Sequence, residues 1–300
     1  MSQGRRNPST GPDLLILGCG DVGRRLARHY LAQGQRVLGV VRSEASRRAL
    51  LEQDIPAVAL DLAMADLCTL PLVGRRVFHL APPPGQGIED RVTRRLVAAS
   101  ARQGAPQRLV YISTSGVYGD CAGAWVDETW PVRPNADRSR RRWDAERHLR
   151  EWRRDAASSL VILRVAGIYG PGRLPLDRIR RSLPLVRESE APFSNRIHVD
   201  DLVQACIAAM ERGVDGEVYN VCDGHPSTMT DYFFQVADAA GLPRPPVIAI
   251  SEMDGQMSAG MQSYMSESRR LSNRKLCDEL GVELAYPTLQ AGLAEAIPAE

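Results

Sequence analysis

Asp13-Leu14-Leu15-Ile16-Leu17-Gly18-Cys19-Gly20-Asp21-Val22-Gly23 is the stretch whose reading decides the fold. Four apolar residues in a row, ended by glycines, predict a buried parallel strand running straight into a helix. Val22, Leu26 and Tyr30 then recur at helical spacing, and Gly34 supplies a C-terminal stop. Gly18, Gly20 and Gly23 therefore fall on a strand–turn–helix junction in G-x-G-x-x-G order. Gly18 permits the tight turn, Gly20 lets a pyrophosphate touch bare backbone, and Gly23 lets the helix close on the strand. The free N–H groups at the helix start face the anion. This context predicts a dinucleotide site over Gly18, Cys19, Gly20, Asp21, Val22 and Gly23. A tight turn that binds nothing is the alternative.

Outward from that turn, strands and helices alternate. Residues 36–41 read as a second strand, with Arg42 and Ser43 at its carboxyl end, and 43–53 as a helix. A third strand over 57–60 ends at Asp61. The fourth, over 77–80, is stopped by Ala81-Pro82-Pro83-Pro84-Gly85, because proline neither donates to a ladder nor continues a helix. A helix spans about 89–102, a fifth strand 108–112 and a sixth 160–163. Alternation at this spacing predicts an α/β chain with a doubly wound parallel sheet.

The residue after the second strand bears on the cofactor. An acidic residue there holds a ribose 2′-hydroxyl, whereas a 2′-phosphate needs an arginine. Arg42 occupies that position, with Ser43 beside it and Arg47 one turn on. A guanidinium pairs bidentately with a phosphate that a carboxylate would repel. NADP is therefore expected in preference to NAD. A solvated Arg42, with NAD bound indifferently, is the alternative, because the chain favours arginine throughout: Lys275 is the only lysine among 38 Lys and Arg residues.

Composition sets the outer limits. A chain of 300 residues, 44% hydrophobic and 25% charged, has the make-up of an ordinary soluble globule with a substantial core. A net charge of +2 gives no argument for nucleic acid or a membrane surface. Cys19, Cys68, Cys121, Cys206, Cys222 and Cys277 are scattered, without a C-x-x-C pair or a histidine at ligand spacing. Neither a disulfide framework nor a metal site is expected, and reduced thiols fit a cytoplasmic protein. Residues 1–12 are polar and read as a disordered tail without a signal peptide. No apolar run approaches the roughly 18 residues of a membrane helix.

A run of hydroxyls, Tyr111-Ile112-Ser113-Thr114-Ser115-Gly116-Val117-Tyr118-Gly119-Asp120, lies at the carboxyl end of a central strand, where open α/β sheets keep reactive groups. It resembles the corresponding segment of the extended short-chain dehydrogenase/reductase family, the nucleotide-sugar epimerases and dehydratases. Asp127-Glu128-Thr129-x-Pro131, Arg164-Val165-Ala166-Gly167-Ile168-Tyr169-Gly170-Pro171-Gly172, Asn195-Arg196-Ile197-His198-Val199-Asp200-Asp201 and Tyr219-Asn220-Val221 agree in order and spacing. The resemblance runs from about Leu14 to Val221. It implies a Rossmann-type core over 13–165, completed by about 195–223, and a smaller C-terminal substrate lobe from 166–194 and 224–300. It implies that Thr114 is the catalytic Ser/Thr that hydrogen-bonds the substrate oxygen. Asp61, with Leu62, matches the adenine contact, and Leu80, Ala81 and Pro82 lie on the loop flanking the cofactor. The implied partner is a small molecule, a nucleotide sugar or another anionic compound, bound by a monomer or homodimer.

One departure matters more than these matches. The family's chemistry depends on a Tyr-x-x-x-Lys pair, and counting back from Ala145-Glu146 puts Arg138 at the tyrosine and Arg142 at the lysine. Residues four apart share a helix face, so both still face the nicotinamide. A guanidinium stays protonated and exchanges no proton near neutral pH. With G-x-G-x-x-G in place of the family's G-x-x-G-x-x-G, this resembles an atypical branch grouped with a bacterial protein described only as epimerase-like. Tyr118, or less directly Tyr169, is a weak candidate for the missing proton donor; a structural tyrosine is the alternative for each.

Arg138-Ser139-Arg140-Arg141-Arg142 invites a nucleic-acid reading, but interleaved acids and the stripe Ala145, Leu149, Trp152 and Ala156 predict an amphipathic helix with a solvated charged face. No nucleic-acid partner is expected. Arg173, Arg178, Arg180 and Arg181 could meet an anion, with solvated surface the alternative for at least two. His198 is expected to be structural, with Asp200 and Asp201 capping the next helix. Residues 255–268 read as a flexible surface loop. The function expected is an NADP(H)-binding epimerase/dehydratase-like oxidoreductase with its usual Tyr and Lys replaced. The alternative is a non-catalytic NADP(H)-binding redox sensor or scaffold.

Overall fold

In the computed structural model, residues 11–297 are described; of the expected tail over 1–12, residues 1–10 lie outside the described residues. Seven strands form one sheet: β1 (Leu14–Leu17), β2 (Val37–Val41), β3 (Ala57–Ala59), β4 (Arg76–His79), β5 (Arg108–Thr114), β6 (Ser159–Val165) and β7 (Val218–Val221). Their spatial order is β7-β6-β5-β4-β1-β2-β3, and every neighbouring pair is parallel. The chain order reverses between β1 and β4, which is where open α/β sheets bind ligands. β1 is fully apolar and wholly buried because helices cover both faces of the sheet.

The helices are α1 (Asp21–Ala32), α2 (Glu44–Leu51), α3 (Arg91–Gln103), α4 (Asp137–Asp155), α5 (Leu176–Arg180), α6 (Val199–Arg212), α7 (Met229–Ala239), α8 (Ala259–Met265), α9 (Arg274–Asp278) and α10 (Leu289–Ala296). One core lies under α1 and α6, built on Leu14, Ile16, Leu26 and Tyr30 with Leu202 and Cys206. The other lies under α3 and α4, where Leu96, Leu149 and Trp152 meet Leu15, Leu109 and Tyr111. Among the described residues no helix is long and apolar enough to cross a membrane, and all six cysteines are free.

Several expectations are corrected. The charged face of α4 is not simply solvated. Glu146 is completely buried and grips Arg164, itself 2% exposed, in a bidentate pair at 2.8–3.3 Å. Asp144 is also buried and accepts from Arg94 at 2.8 and 3.1 Å. Periodicity registers which face a residue is on and cannot register a partner from another element.

Residues 255–268 are not a free loop. They contain α8, and Met257, Met265 and Glu267 are buried. The signal was present in the sequence: Met253, Met257, Met261 and Met265 recur every four residues, and with Met229 they join one apolar cluster. β7 is not anticipated as a strand, since the fully buried Asn220 interrupts its apolar run.

The role of His198 differs in detail. Its own ring caps α6, with Nδ1 accepting from the Asp200 N–H at 3.3 Å. Asp200 instead pairs with Arg25 at 2.5 Å, and Asp201 accepts from the backbone of Ala285 and Tyr286 at 2.8 and 3.1 Å, tying down the C-terminal segment. Lys275, on α9, pairs with Glu217, and its ammonium lies 5.1 Å from the Tyr219 ring centre.

Candidate functional site

Parallel strands bring their carboxyl ends to one edge, so strand order fixes which loops meet. The sequence β3-β2-β1-β4-β5 sets Asp61, Arg42, the glycine turn, Ala81 and Thr114 side by side. The turn is tied to its neighbours: Gly18 N and Cys19 N both donate to the Val40 carbonyl at 3.0 Å, and Leu80 N donates to Leu17 O at 2.8 Å.

The glycines divide their work. Gly18 has a φ of +84°, and a Cβ on it would lie 2.6 Å from the Ala81 backbone. Gly23 sits against Ile16, where a Cβ would meet the Ile16 Cγ2 at 3.1 Å. A Cβ on Gly20 would meet nothing within 4 Å. The chain needs Gly18 and Gly23 for its own packing, whereas nothing in the protein requires Gly20 to be bare. That open backbone lies at the start of α1, where dinucleotide-binding folds of this type seat a pyrophosphate. Val22 packs into the core below the turn, and Cys19 is buried over Gly39. Asp21 pairs with Arg25 at 3.3 Å and Arg173 at 2.8 Å.

At the end of β2, Arg42 is exposed and makes no ion pair among the described residues. Ser43 caps α2, its Oγ accepting from Ser46 N at 3.2 Å. Arg47 is already held by Glu44 at 2.6 Å. Asp61 accepts from Ala63 N at 2.9 Å in a local turn, with Leu62 buried beside it.

Beyond β4 and β5 the cleft widens into a cavity of about 680 Å³. Thr114, Arg138 and Arg142 all line it, together with Pro82 and Pro83. Thr114 is the last residue of β5, and its Oγ1 accepts from Gly116 N at 3.2 Å. Gly116 has no room for a side chain, since a Cβ would lie 2.5 Å from Ser139 Oγ. That close approach of α4 to the turn is what sets Arg138 and Arg142 near Thr114.

Both guanidiniums are engaged. Arg142 Nη1 donates to Ile112 O at 3.0 Å and Tyr111 Oη at 3.2 Å, with Ala81 O at 3.4 Å. Arg138 reaches across to α8, donating to Ser263 Oγ at 2.6 Å and stacking 4.1 Å from the Tyr264 ring centre. Six arginines in all face the cavity, against the single carboxylate of Glu267, which is bound to Arg269 at 2.9 Å. Among the described residues no His, Cys, Asp and Glu cluster could hold a metal.

Tyr118 does not reach this space. It is 1% exposed and donates to Asn220 Oδ1 at 2.7 Å, with the Arg164 guanidinium 4.8 Å above its ring. Burial foremost pushes its phenol up to about 12. Tyr169 is likewise buried and donates to Thr288 O at 3.3 Å. Both are structural. Of the four arginines near 174–193, Arg173 faces the cavity, Arg178 donates to Pro184 O at 2.8 Å, and Arg180 and Arg181 are surface. The residues that sequence reasoning missed are Arg196, Met229, Tyr232, Tyr264 and Glu267, all brought to the cavity by segments after β6.

The sequence model of the NAD dependent epimerase/dehydratase family matches residues 14–222. The chain belongs to that family. A functionally unknown conserved protein from Silicibacter pomeroyi has a solved structure 32% identical to this chain. Its TM-score is 0.81, over 94% of this chain and 97% of that one. Protein YeeZ of Escherichia coli K12 is 28% identical over 91% of this chain and 95% of its own length. UDP-glucuronic acid 4-epimerase from Bacillus cereus, solved with UDP-glucuronic acid and NAD, shares the fold at 20% identity. Its TM-score is 0.75 over 94% of this chain and 97% of that one. Family membership makes this an epimerase/dehydratase-type oxidoreductase chain with a nucleotide cofactor site.

Proposed function

We propose that the protein binds NADP(H) along the edge formed by β3, β2, β1 and β4, and transfers hydride to or from a small anionic substrate in the cavity beside Thr114. The observation that carries this is the bare Gly20 backbone at the start of α1, open while its neighbouring glycines are packed. Gly18, Cys19, Gly20, Asp21, Val22 and Gly23 would hold the pyrophosphate, Asp61 and Leu62 the adenine side, and Leu80, Ala81 and Pro82 the nicotinamide side. Bound there, the cofactor supplies hydride exchange with a carbon atom. The chain's own part is to bind, orient and exclude water. Thr114 Oγ1 would hydrogen-bond the substrate oxygen. Arg142 braces the ends of β4 and β5 and adds positive charge.

The NADP preference rests on Arg42, an exposed guanidinium with no carboxylate partner among the described residues. NADPH should bind more tightly than NADH, since losing a charge-assisted pair costs roughly 1.5–3 kcal/mol, about ten- to a hundredfold in affinity. Calorimetric titration with both cofactors checks this, and Arg42→Asp should erase the difference. Equal affinities in the native protein would remove the argument.

Proton chemistry is where the protein departs from its family. Arg138 and Arg142 stand at the positions of the usual Tyr and Lys, and neither cation exchanges a proton near neutral pH. General acid–base help is worth roughly 10²–10⁴ in rate. The native protein should therefore bind NADP(H) yet show little carbonyl reduction and little 4-epimerisation of common nucleotide sugars. A panel followed at the NADPH absorbance measures this. Arg138→Ala should keep cofactor affinity within a small factor, and Arg138→Tyr with Arg142→Lys should raise carbonyl reduction on the same panel above the native level. Robust native turnover that survives both Thr114→Ala and Arg138→Ala would place the chemistry elsewhere.

A second reading, a redox sensor that binds without turnover, is favoured by one contact. Arg138, on the α4 face assigned to the nicotinamide end, is held by Ser263 and Tyr264 of α8, a contact through which cofactor binding would reach the C-terminal segment. Complete absence of turnover across the panel, with tight NADPH binding, would select it.

A further inference from the structure

Arg196 opens the short strand Arg196–His198 and forms part of the cavity wall, yet it is only 7% exposed. Two other cavity arginines have carboxylates: Arg173 pairs with Asp21 at 2.8 Å and Arg269 with Glu267 at 2.9 Å. Arg196 has none within ion-pair distance among the described residues. Its Nη1 donates to Asn195 O at 2.8 Å, and its Nη2 meets Met229 Sδ at 3.3 Å. The Tyr232 ring centre lies 4.3 Å from its central carbon. Asp223 and Asp231 act on it only at longer range, and burial opposes its charge more strongly than they support it. A guanidinium has five N–H donors, and the contacts above use two of them.

A buried cation without a counter-ion is costly, and folds rarely keep one unless something compensates it. The surroundings say what the compensating group is attached to. Phe193, Met229, Tyr232, Phe233 and Met261 face the same cavity and form an apolar, aromatic lining around the charge. Met side chains adapt to irregular shapes, and aromatic rings take flat partners. The backbone also makes room for this guanidinium. A Cβ on Gly167 would lie 3.4 Å from both Cδ and Nη1 of Arg196, and 3.2 Å from Asn195 O.

We propose that Arg196 anchors the anionic group of the substrate, a carboxylate or phosphate carried on an apolar, ring-sized body packed against Phe193, Met229 and Tyr232. This rests on the cavity being the substrate side of the NADP(H) site. At the Arg196 end the cavity then favours an anionic group set in an apolar body, and a nucleotide sugar, polar along most of its length, is the poorer occupant there.

The test is calorimetric titration of the full chain, with and without NADP⁺, using benzoate, benzamide, phenyl phosphate and UDP-glucose. Benzoate or phenyl phosphate should bind at least tenfold more tightly than benzamide, which keeps the ring and shape but lacks the charge. The order of the two anions assigns carboxylate or phosphate. Arg196→Gln should lose that tenfold advantage and Arg196→Lys should keep part of it, with NADP⁺ affinity within about twofold in both. If Arg196→Gln fails to fold, Gly167→Ala, which crowds the arginine stem, should weaken the preferred anion several-fold. Benzamide matching the anions, anion affinity indifferent to Arg196, or UDP-glucose binding more tightly than either anion would each overturn the proposal. NADP⁺ binding is read separately, so a protein that binds NADP⁺ and none of the probes refutes this anchor while leaving the cofactor assignment standing.

Discussion

A Gly20→Val chain should melt like the native protein and show no saturable binding of NADPH. The two halves of this expectation come from one measurement on the backbone. A Cβ at position 20 meets nothing within 4 Å, and the residue has a φ of −80°, so a side chain can leave the backbone there without a Cβ clash or left-handed strain. The space it fills is the one a pyrophosphate must enter to reach the N–H groups at the start of α1. Gly18→Ala is the matched control, because its methyl group would lie 2.6 Å from the Ala81 backbone at a φ of +84°. That variant should lose stability as well as cofactor. Thermal melts beside NADPH titrations separate the two. A Gly20→Val protein that melts normally and still binds NADPH would show that the turn holds no pyrophosphate.

The largest stability effect is expected at Glu146→Ala. Its carboxylate is wholly buried, accepts from Ser113 Oγ at 2.5 Å, and pairs bidentately with Arg164 between α4 and β6. Removing one partner of a buried pair leaves the other charge uncompensated, at a cost of about 3–5 kcal/mol. The Arg164 Nη1 already lacks a partner among the described residues, so the site has no reserve acceptor. By contrast, Glu44→Ala removes an exposed contact with Arg47 and Arg48 that is worth about 0–1 kcal/mol. Urea unfolding of both variants tests the contrast. Equal, small losses would mean that water reaches Arg164. The pair also bears on the site, because Ser113 immediately precedes Thr114, and a loosened Glu146 would let the end of β5 drift.

What could be read in advance followed local rules. The first six sheet strands, the glycine turn and Arg42 were legible because each depends on residues next to one another in the chain. Thr114 was legible only through resemblance, but the structure places it at the end of β5, where the strand runs two residues beyond the apolar stretch. The buried role of Glu146 was not legible, since its partner Arg164 lies on another element. Nor was the far wall of the cavity. Arg196, Tyr232 and Tyr264 come from segments separated by tens of residues, and only the tertiary fold brings them together. The α8 region was misread because serine and glycine suggested a loop, while the four-residue methionine spacing spoke for a packed helix.

Lys275 carries a practical consequence of the arginine bias. With no other lysine in the chain, amine-directed reagents have one side-chain target, and it lies on α9 beside the β7 edge, outside the cavity lining. Its ion pair with Glu217 and one-fifth exposure will slow the reaction, so the more reactive α-amine must be blocked first to direct the reagent there. A fluorophore or tether could therefore be placed at a known point on the native sequence, leaving every guanidinium around the cavity unmodified.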